Sequence, residues 1–413
     1  MRAPRWFLAF VAASIVAGTG VPLRAAVAVR TNFEGGNIGE VVVVSPTHLR
    51  CAVQGQADVD HRNRQADWYY FELTNLPREP VTIDLVNLAG EYNYRAPAFS
   101  VTKGTRPVYS LDDVSWTHFQ DDQVQWDNQE PHLSIRFTPA RDHLWIAHVP
   151  PYTNRHLAAL LDGMRASPYL DRKAIGRTVK GRDMLLLTIT NPTVAEEKKA
   201  VVWLMFRQHA WEAGSSWVGD GAIRFLLSGD TRAKAIRERT IFKIFPMADP
   251  DGVALGTVRY NQNGYDLNRN WDTIDAQKMP EIAAQHKSVM DWVDGGHRLD
   301  VFLSLHNTET GEYLETPRAF HKLGQRIFAL LGDTTTFNPT VPLREVEETA
   351  ARGRMAVDQG LLHDRKLPAM LMEQMIEYNS RLGHCPDVSD RKEFGAGLVR
   401  AFSEAVAAAG PGR

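Results

Sequence analysis

Val201-Val202-Trp203-Leu204-Met205-Phe206 is an unbroken apolar run, and after two intervening residues comes His209-Ala210-Trp211-Glu212. A run of this length and content reads as a buried strand. Similar runs lie at 184–190, 241–246, 300–305 and 369–372, and helical patterns fill 156–165, 217–227 and 281–293. Strand alternating with helix predicts an α/β domain, a mostly parallel mixed sheet flanked by helices. Polar residues then stand out by position. His209 follows the first run, His306 ends Val301-Phe302-Leu303-Ser304-Leu305, and Glu373 ends Ala369-Met370-Leu371-Met372. In open α/β sheets ligands bind beyond the carboxyl ends of the strands, so these three side chains point to one site.

Upstream the rhythm is different. Between residues 31 and 149 short runs such as Trp68-Tyr69-Tyr70-Phe71-Glu72-Leu73 and Val81-Thr82-Ile83-Asp84-Leu85-Val86 are separated by Asn, Gly, Pro and Asp, with no helical pattern. That predicts an all-β sandwich in which Trp68, Tyr69, Tyr70 and Trp116 serve as core. Pro150-Pro151 suits an extended connector. The expected organisation is a leader at 1–28, a sandwich domain at 29–150 and a catalytic domain at 151–413. In the leader Arg2 and Arg5 precede an apolar stretch, and Ala26-Val27-Ala28 offers a cleavage site. This predicts a signal peptide and an exported, periplasmic or secreted protein with no stable membrane insertion after its removal; an uncleaved anchor is the alternative.

Net charge is −2, from 47 basic and 49 acidic residues, which leaves no basic stripe for nucleic acid. The two cysteines, Cys51 and Cys385, lie too far apart for a cysteine zinc knuckle. Whether they pair stays open.

A catalytic zinc takes three ligands from His, Asp or Glu and keeps a position for water. His209 and Glu212 offer a close pair, and His306 a third ligand. Alone, such a pair is a weak signal. The order of motifs makes it strong: Asp249-Pro250-Asp251-Gly252, then Arg259, then Asp266-Leu267-Asn268-Arg269-Asn270-Trp271, then His306 and Glu373. This order resembles the zinc metallocarboxypeptidases. His209-Ala210-Trp211-Glu212-Ala213-Gly214-Ser215-Ser216-Trp217 and Phe33-Glu34-Gly35-Gly36-Asn37 are most similar to the cytosolic carboxypeptidase, deglutamylase-type branch, which carries an N-terminal β-sandwich. Ala210-Trp211 departs from that branch's Pro-Gly, and Asp249 stands where Asn is usual.

The resemblance implies one Zn2+ per chain held by His209, Glu212 and His306. Glu373 is the implied general base, Arg259 the implied oxyanion stabiliser, and Asn268 with Arg269 the implied holders of a terminal carboxylate. The implied activity is release of C-terminal amino acids, acidic ones among them, from peptide or protein C-termini. Glu377 is the rival base, since residues four apart share a strand face. Arg352 and Arg354 are weak candidates for selecting an acidic substrate residue. A cell-wall peptide carboxypeptidase would use the same residues. A catalytically silent zinc- or peptide-binding protein is the alternative from another class, and the complete residue set argues against it. The Asp266–Trp271 block and the sandwich argue against a zinc deacylase.

Overall fold

The structure is a computed structural model and describes residues 26–338, 342–346 and 351–407. The leader up to residue 25 lies outside the described residues. No described helix is long and apolar enough to cross a membrane.

Residues 28–147 form two five-stranded sheets. One contains Ala28–Arg30, Tyr70–Thr74, His143–Ala147, Val108–Ser110 and Trp116–His118, and the other contains Val124–Asp127, His132–Phe137, Val81–Val86, His48–Ala52 and Val41–Ser45. Side chains alternate between the faces of a strand, and here both faces of the first sheet are used. Tyr69, Phe71, Leu73, Leu144 and Ile146 pack inward against Leu49, Ile83 and Ile135 of the second sheet. Trp68, Tyr70 and Ala147 point the other way, into a core shared with the second half of the chain. The aromatics expected in the core are there, Trp116 only half-buried. Cys51 is buried inside the sandwich, Cys385 lies outside it, and both are free thiols.

The second half holds an eight-stranded mixed sheet. Its strands are β1 (Leu170–Arg177), β2 (Asp183–Ile189), β3 (Ala200–Phe206), β4 (Thr240–Phe245), β5 (Val301–Thr308), β6 (Tyr313–Pro317), β7 (Arg344–Val346) and β8 (Ala369–Met375). They lie in the order β1-β2-β4-β3-β5-β8-β6-β7. The central four, β4, β3, β5 and β8, run parallel. Val202, Leu204 and Phe206 of β3 face helices α1 (Ala213–Leu227) and α4 (Val388–Ala407), within one cluster. Val201, Trp203 and Met205 face α2 (Pro280–Asp294) and α3 (Val357–Arg365) on the other side. Burial on both faces explains why β3 reads as a continuous apolar run. From β3 the chain moves to β4 on one side and later to β5 on the other, so the crevice beyond β3 and β5 is a topological switch point.

Two strands differ from the sequence reading. β5 and β8 continue past His306 and Glu373, to Thr308 and Met375. Polar residues there broke the apolar pattern but kept the ladder, in which His306 lies directly opposite Glu373.

Candidate active site

After β3 the chain turns sharply at Arg207, whose φ is +61°, a left-handed conformation uncommon for a side-chain-bearing residue. Its buried guanidinium holds the turn in place: Nε and Nη2 donate to the Ala210 carbonyl at 2.9 and 2.7 Å, and Nη1 to Ser216 Oγ at 3.1 Å. The turn sets His209 and Glu212 side by side, Glu212 immediately before α1. β5 delivers His306 from the neighbouring strand.

The three side chains converge. Glu212 places one carboxylate oxygen 2.6 Å from His209 Nδ1 and the other 2.9 Å from His306 Nδ1. One ligand atom from each lies within 4.8 Å of the others, and all three residues are buried. The remaining ring nitrogens have their own partners. His209 Nε2 lies 3.1 Å from Asp266 Oδ1, and His306 Nε2 lies 3.0 Å from both Gln208 Oε1 and Ser304 Oγ. Each ring can donate from Nε2, which leaves both Nδ1 lone pairs facing the gap beside Glu212. A metal-ligating histidine is oriented in this way. Two imidazoles and a carboxylate are a zinc donor set, so the residues fit the ion.

Electrostatics agree with the geometry. Burial works against charge on Glu212, and positive charge beside it, carried by His209 and His306 when they are protonated, holds its carboxyl down at about 2. Burial likewise opposes charge on Asp266, and the Arg259 guanidinium, with His209, keeps it well below the usual carboxylate range. Glu373 behaves in the opposite way. Burial pushes its carboxyl well above the ordinary value, and Glu212 adds to the effect. Its Oε2 has no hydrogen-bond partner among the described residues.

The other expected residues surround the same cleft. Arg259 donates from Nε to Asp266 Oδ2 at 2.7 Å. Asn268 Oδ1 accepts from the Val357 backbone at 2.9 Å, leaving its amide nitrogen toward the cleft and 3.4 Å from His306 Nε2. Arg269 is half-buried and donates from Nη1 to the Asn268 carbonyl at 2.7 Å. Arg259, Asn268, Arg269 and Glu373 line one cavity together with His209. Glu377 does not join them: its carboxylate accepts from Thr102 Oγ1 of the sandwich at 2.7 Å. Arg352 and Arg354 are exposed, and only Arg354 reaches the cavity, where it donates to Asn93 Oδ1 at 2.8 Å.

Several site residues escaped the sequence reading. Asp266 joins His209 to Arg259; its signal was its place two residues before Asn268. Gln208 and Ser304 back His306, and nothing in the sequence marked them. Tyr92 and Asp67 enter the cleft from the sandwich. Tyr313 lies opposite Glu373 across the β6–β8 ladder.

Comparison with known proteins agrees with this arrangement. Residues 157–315 match the family described as Zinc carboxypeptidase, and residues 29–149 match the Cytosolic carboxypeptidase N-terminal domain. The first match contains every expected site residue except Glu373, whose position rests on the β5–β8 register. The chain is 28% identical over 271 residues to cytosolic carboxypeptidase 3 of Bos taurus, covering 60% of this chain and 26% of that one. It is 30% identical over 274 residues to cytosolic carboxypeptidase 6 of Caenorhabditis elegans, covering 64% and 58%. The chain therefore spans only about a quarter of the length of the first of these relatives. A metallo-carboxypeptidase from Burkholderia cenocepacia shares the fold, with a TM-score of 0.79, 23% identity and coverage of 94% of this chain and 100% of that one. These matches overturn the expectation of export. The domain at 29–149 is one named for cytosolic proteins, and the relatives carry the same name. The segment that suggested a signal peptide lies, up to residue 25, outside the described residues.

Proposed function

The chain belongs to the zinc carboxypeptidase family, with the N-terminal domain of its cytosolic branch, and from that premise we propose that it hydrolyses the last peptide bond of peptides or proteins. The observation that carries the reading is the convergence of His209 Nδ1, His306 Nδ1 and the Glu212 carboxylate, with the unpartnered Glu373 oxygen on the strand beside His306.

His209, Glu212 and His306 would hold the ion, and bound zinc supplies Lewis acidity that lowers the pKa of water to about 7. Glu373 takes the proton of the attacking water and hands it to the departing amine. Burial and the neighbouring Glu212 carboxylate raise its pKa, which favours its holding the proton until the amine departs. Arg259 lies across the cleft, steadied by Asp266, and its guanidinium offers hydrogen bonds to charge developing on the scissile carbonyl oxygen. Arg269 can grip a terminal carboxylate through a two-pronged contact, with the Asn268 amide nitrogen beside it. An internal peptide segment has no carboxylate for that grip, so cleavage is confined to chain ends.

The test is incubation of the zinc-loaded protein with peptides differing only in their last residue, with and without chelator, read by mass spectrometry. Chelator-sensitive loss of single C-terminal residues is expected. Intact peptides alongside confirmed bound zinc would sink the proposal.

A further inference from the structure

The cleft has a second arm, which the proposed reaction leaves unused. On one side of Glu373 the cavity is lined by Asn268 and Arg269. On its other side a separate cavity of about 350 Å3 reaches Glu212, Arg259 and Glu373 but neither Asn268 nor Arg269. A substrate held by its carboxylate at Arg269 would therefore run its amino-terminal part into this second arm. The sandwich supplies one wall through Asp67, Phe99 and Ser100, and the other comes from Trp211, Thr308 and Glu309.

Two carboxyl groups stand in the arm without a cation. Asp67 is 2% exposed, and its Oδ1 has no hydrogen-bond partner among the described residues. Glu309, just past the end of β5, accepts from Thr308 Oγ1 at 3.2 Å. Neither forms an ion pair among the described residues. The two arginines lining the arm are committed elsewhere, Arg259 to Asp266 and Arg64 to the carbonyls of Val53, Gln54, Asn87 and Ala89. Burial lifts the Asp67 carboxyl to about 6 and the Glu309 carboxyl to about 7, and Asp67 adds to the rise at Glu309. A cation between them would offset that cost.

We propose that Asp67 and Glu309 receive a positively charged nitrogen of the substrate, carried by the second residue before the scissile bond. That nitrogen is the α-ammonium of a short peptide or the side chain of a lysine or arginine, which offer the carboxylates the same chemistry. The inference rests on the carboxypeptidase reading. Its spacing fits: Glu309 lies three residues beyond His306, roughly 10 Å along the strand. Two residues of extended peptide span about 7 Å, leaving a remainder within the length of a glutamate side chain. Phe99 and Trp211 offer apolar surface to the methylenes beside the charge. An acidic residue at the same place would meet two carboxylates.

Four tripeptides with the same last two residues test this: Ala-Ala-Ala with a free amino terminus, Ac-Lys-Ala-Ala, Ac-Ala-Ala-Ala and Ac-Glu-Ala-Ala. Each is titrated by calorimetry into the zinc-loaded Glu373→Gln protein. At least one cationic peptide is expected to bind about tenfold more tightly than Ac-Ala-Ala-Ala, with Ac-Glu-Ala-Ala the weakest. An advantage for Ala-Ala-Ala alone identifies the α-ammonium, and one for Ac-Lys-Ala-Ala alone the side chain. Adding Asp67→Asn or Glu309→Gln should cut the advantage severalfold and leave Ac-Ala-Ala-Ala unchanged. Should Asp67→Asn fail to fold, half-buried Glu309 carries the same test. No advantage for either cationic peptide, or one untouched by the substitutions, overturns the proposal. In parallel, wild-type protein is assayed for release of alanine from all four peptides. Selective binding without release would remove the hydrolase reading and leave the carboxylate pair assigned.

Discussion

Asp266 is the residue on which the site's geometry turns, because its two oxygens touch His209 Nε2 at 3.1 Å and Arg259 Nε at 2.7 Å. In the proposed site one carboxylate would fix both the tautomer of His209 and the guanidinium of Arg259. Asp266→Asn should therefore weaken zinc roughly 10- to 100-fold, as removal of such outer partners does elsewhere. Competition against a chromogenic chelator measures it, and an unchanged affinity would remove Asp266 from the ligand support. Glu373→Gln should behave differently: stoichiometric zinc by metal analysis, with kcat reduced roughly 100- to 10,000-fold. Near-normal turnover would assign the base elsewhere. The convergence of His209, Glu212 and His306 was legible in the sequence because strand ends and motif order mark them. Asp266 lay inside a legible motif, but its role needed the distances. Gln208 and Ser304 left no trace, since a single polar residue beside a histidine carries no periodicity.

At the scale of elements, the short helix Pro250–Leu255 carries a charge that the fold tolerates poorly. Its N-cap, Asp249, accepts from the Gly252 backbone at 2.8 Å through Oδ1, while Oδ2 is buried without a hydrogen-bond partner among the described residues. Burial pushes its carboxyl up to about 7. An unfolded aspartate ionises near 3.9. Between these values the folded chain retains a proton that the unfolded chain has released, so stability falls as pH rises from about 4 to 7. Asparagine, the family's usual residue here, has no proton to lose. Asp249→Asn should be more stable than wild type by roughly 2–4 kcal/mol at pH 8, the gain fading toward pH 4. Urea unfolding at pH 5 and pH 8 checks this, and equal gains at both would show that Asp249 does not titrate in that window. The elements themselves were largely legible. The reading at 281–293 corresponds to a helix spanning Pro280–Asp294, and that at 201–206 to a strand spanning Ala200–Phe206. Strand ends were less so, because His306 and Glu373 interrupt the apolar pattern without interrupting the ladder.

At the scale of the whole molecule, the sandwich is part of the cleft. Gln56 reaches across with Oε1 accepting from three successive backbone amides, Val258 at 3.0 Å, Arg259 at 2.7 Å and Tyr260 at 2.9 Å, while its Nε2 donates to the Tyr260 carbonyl at 2.8 Å. Nothing in the sequence announced a contact across some two hundred residues. Gln56→Ala leaves those groups without their partner and should cost about 2–4 kcal/mol, with lower activity per folded molecule because Arg259 loses its support. Apolar packing accompanies these polar contacts. Trp68, Tyr70, Val108 and Ala147 share one core with Leu204, Phe206 and Trp217. Trp68 also donates to the Gly35 carbonyl at 2.9 Å, and the Gly35 amide donates to Ala254 of the second half at 3.0 Å. A core shared this fully has no natural cut. The full chain is therefore expected to unfold in a single calorimetric transition, and residues 151–413 expressed alone should lack a cooperative transition even with zinc present. Separation of the intact chain into two transitions, or a cooperatively folding 151–413 fragment that cleaves peptides, would show instead that the sandwich is an accessory and that the cleft can assemble without Gln56.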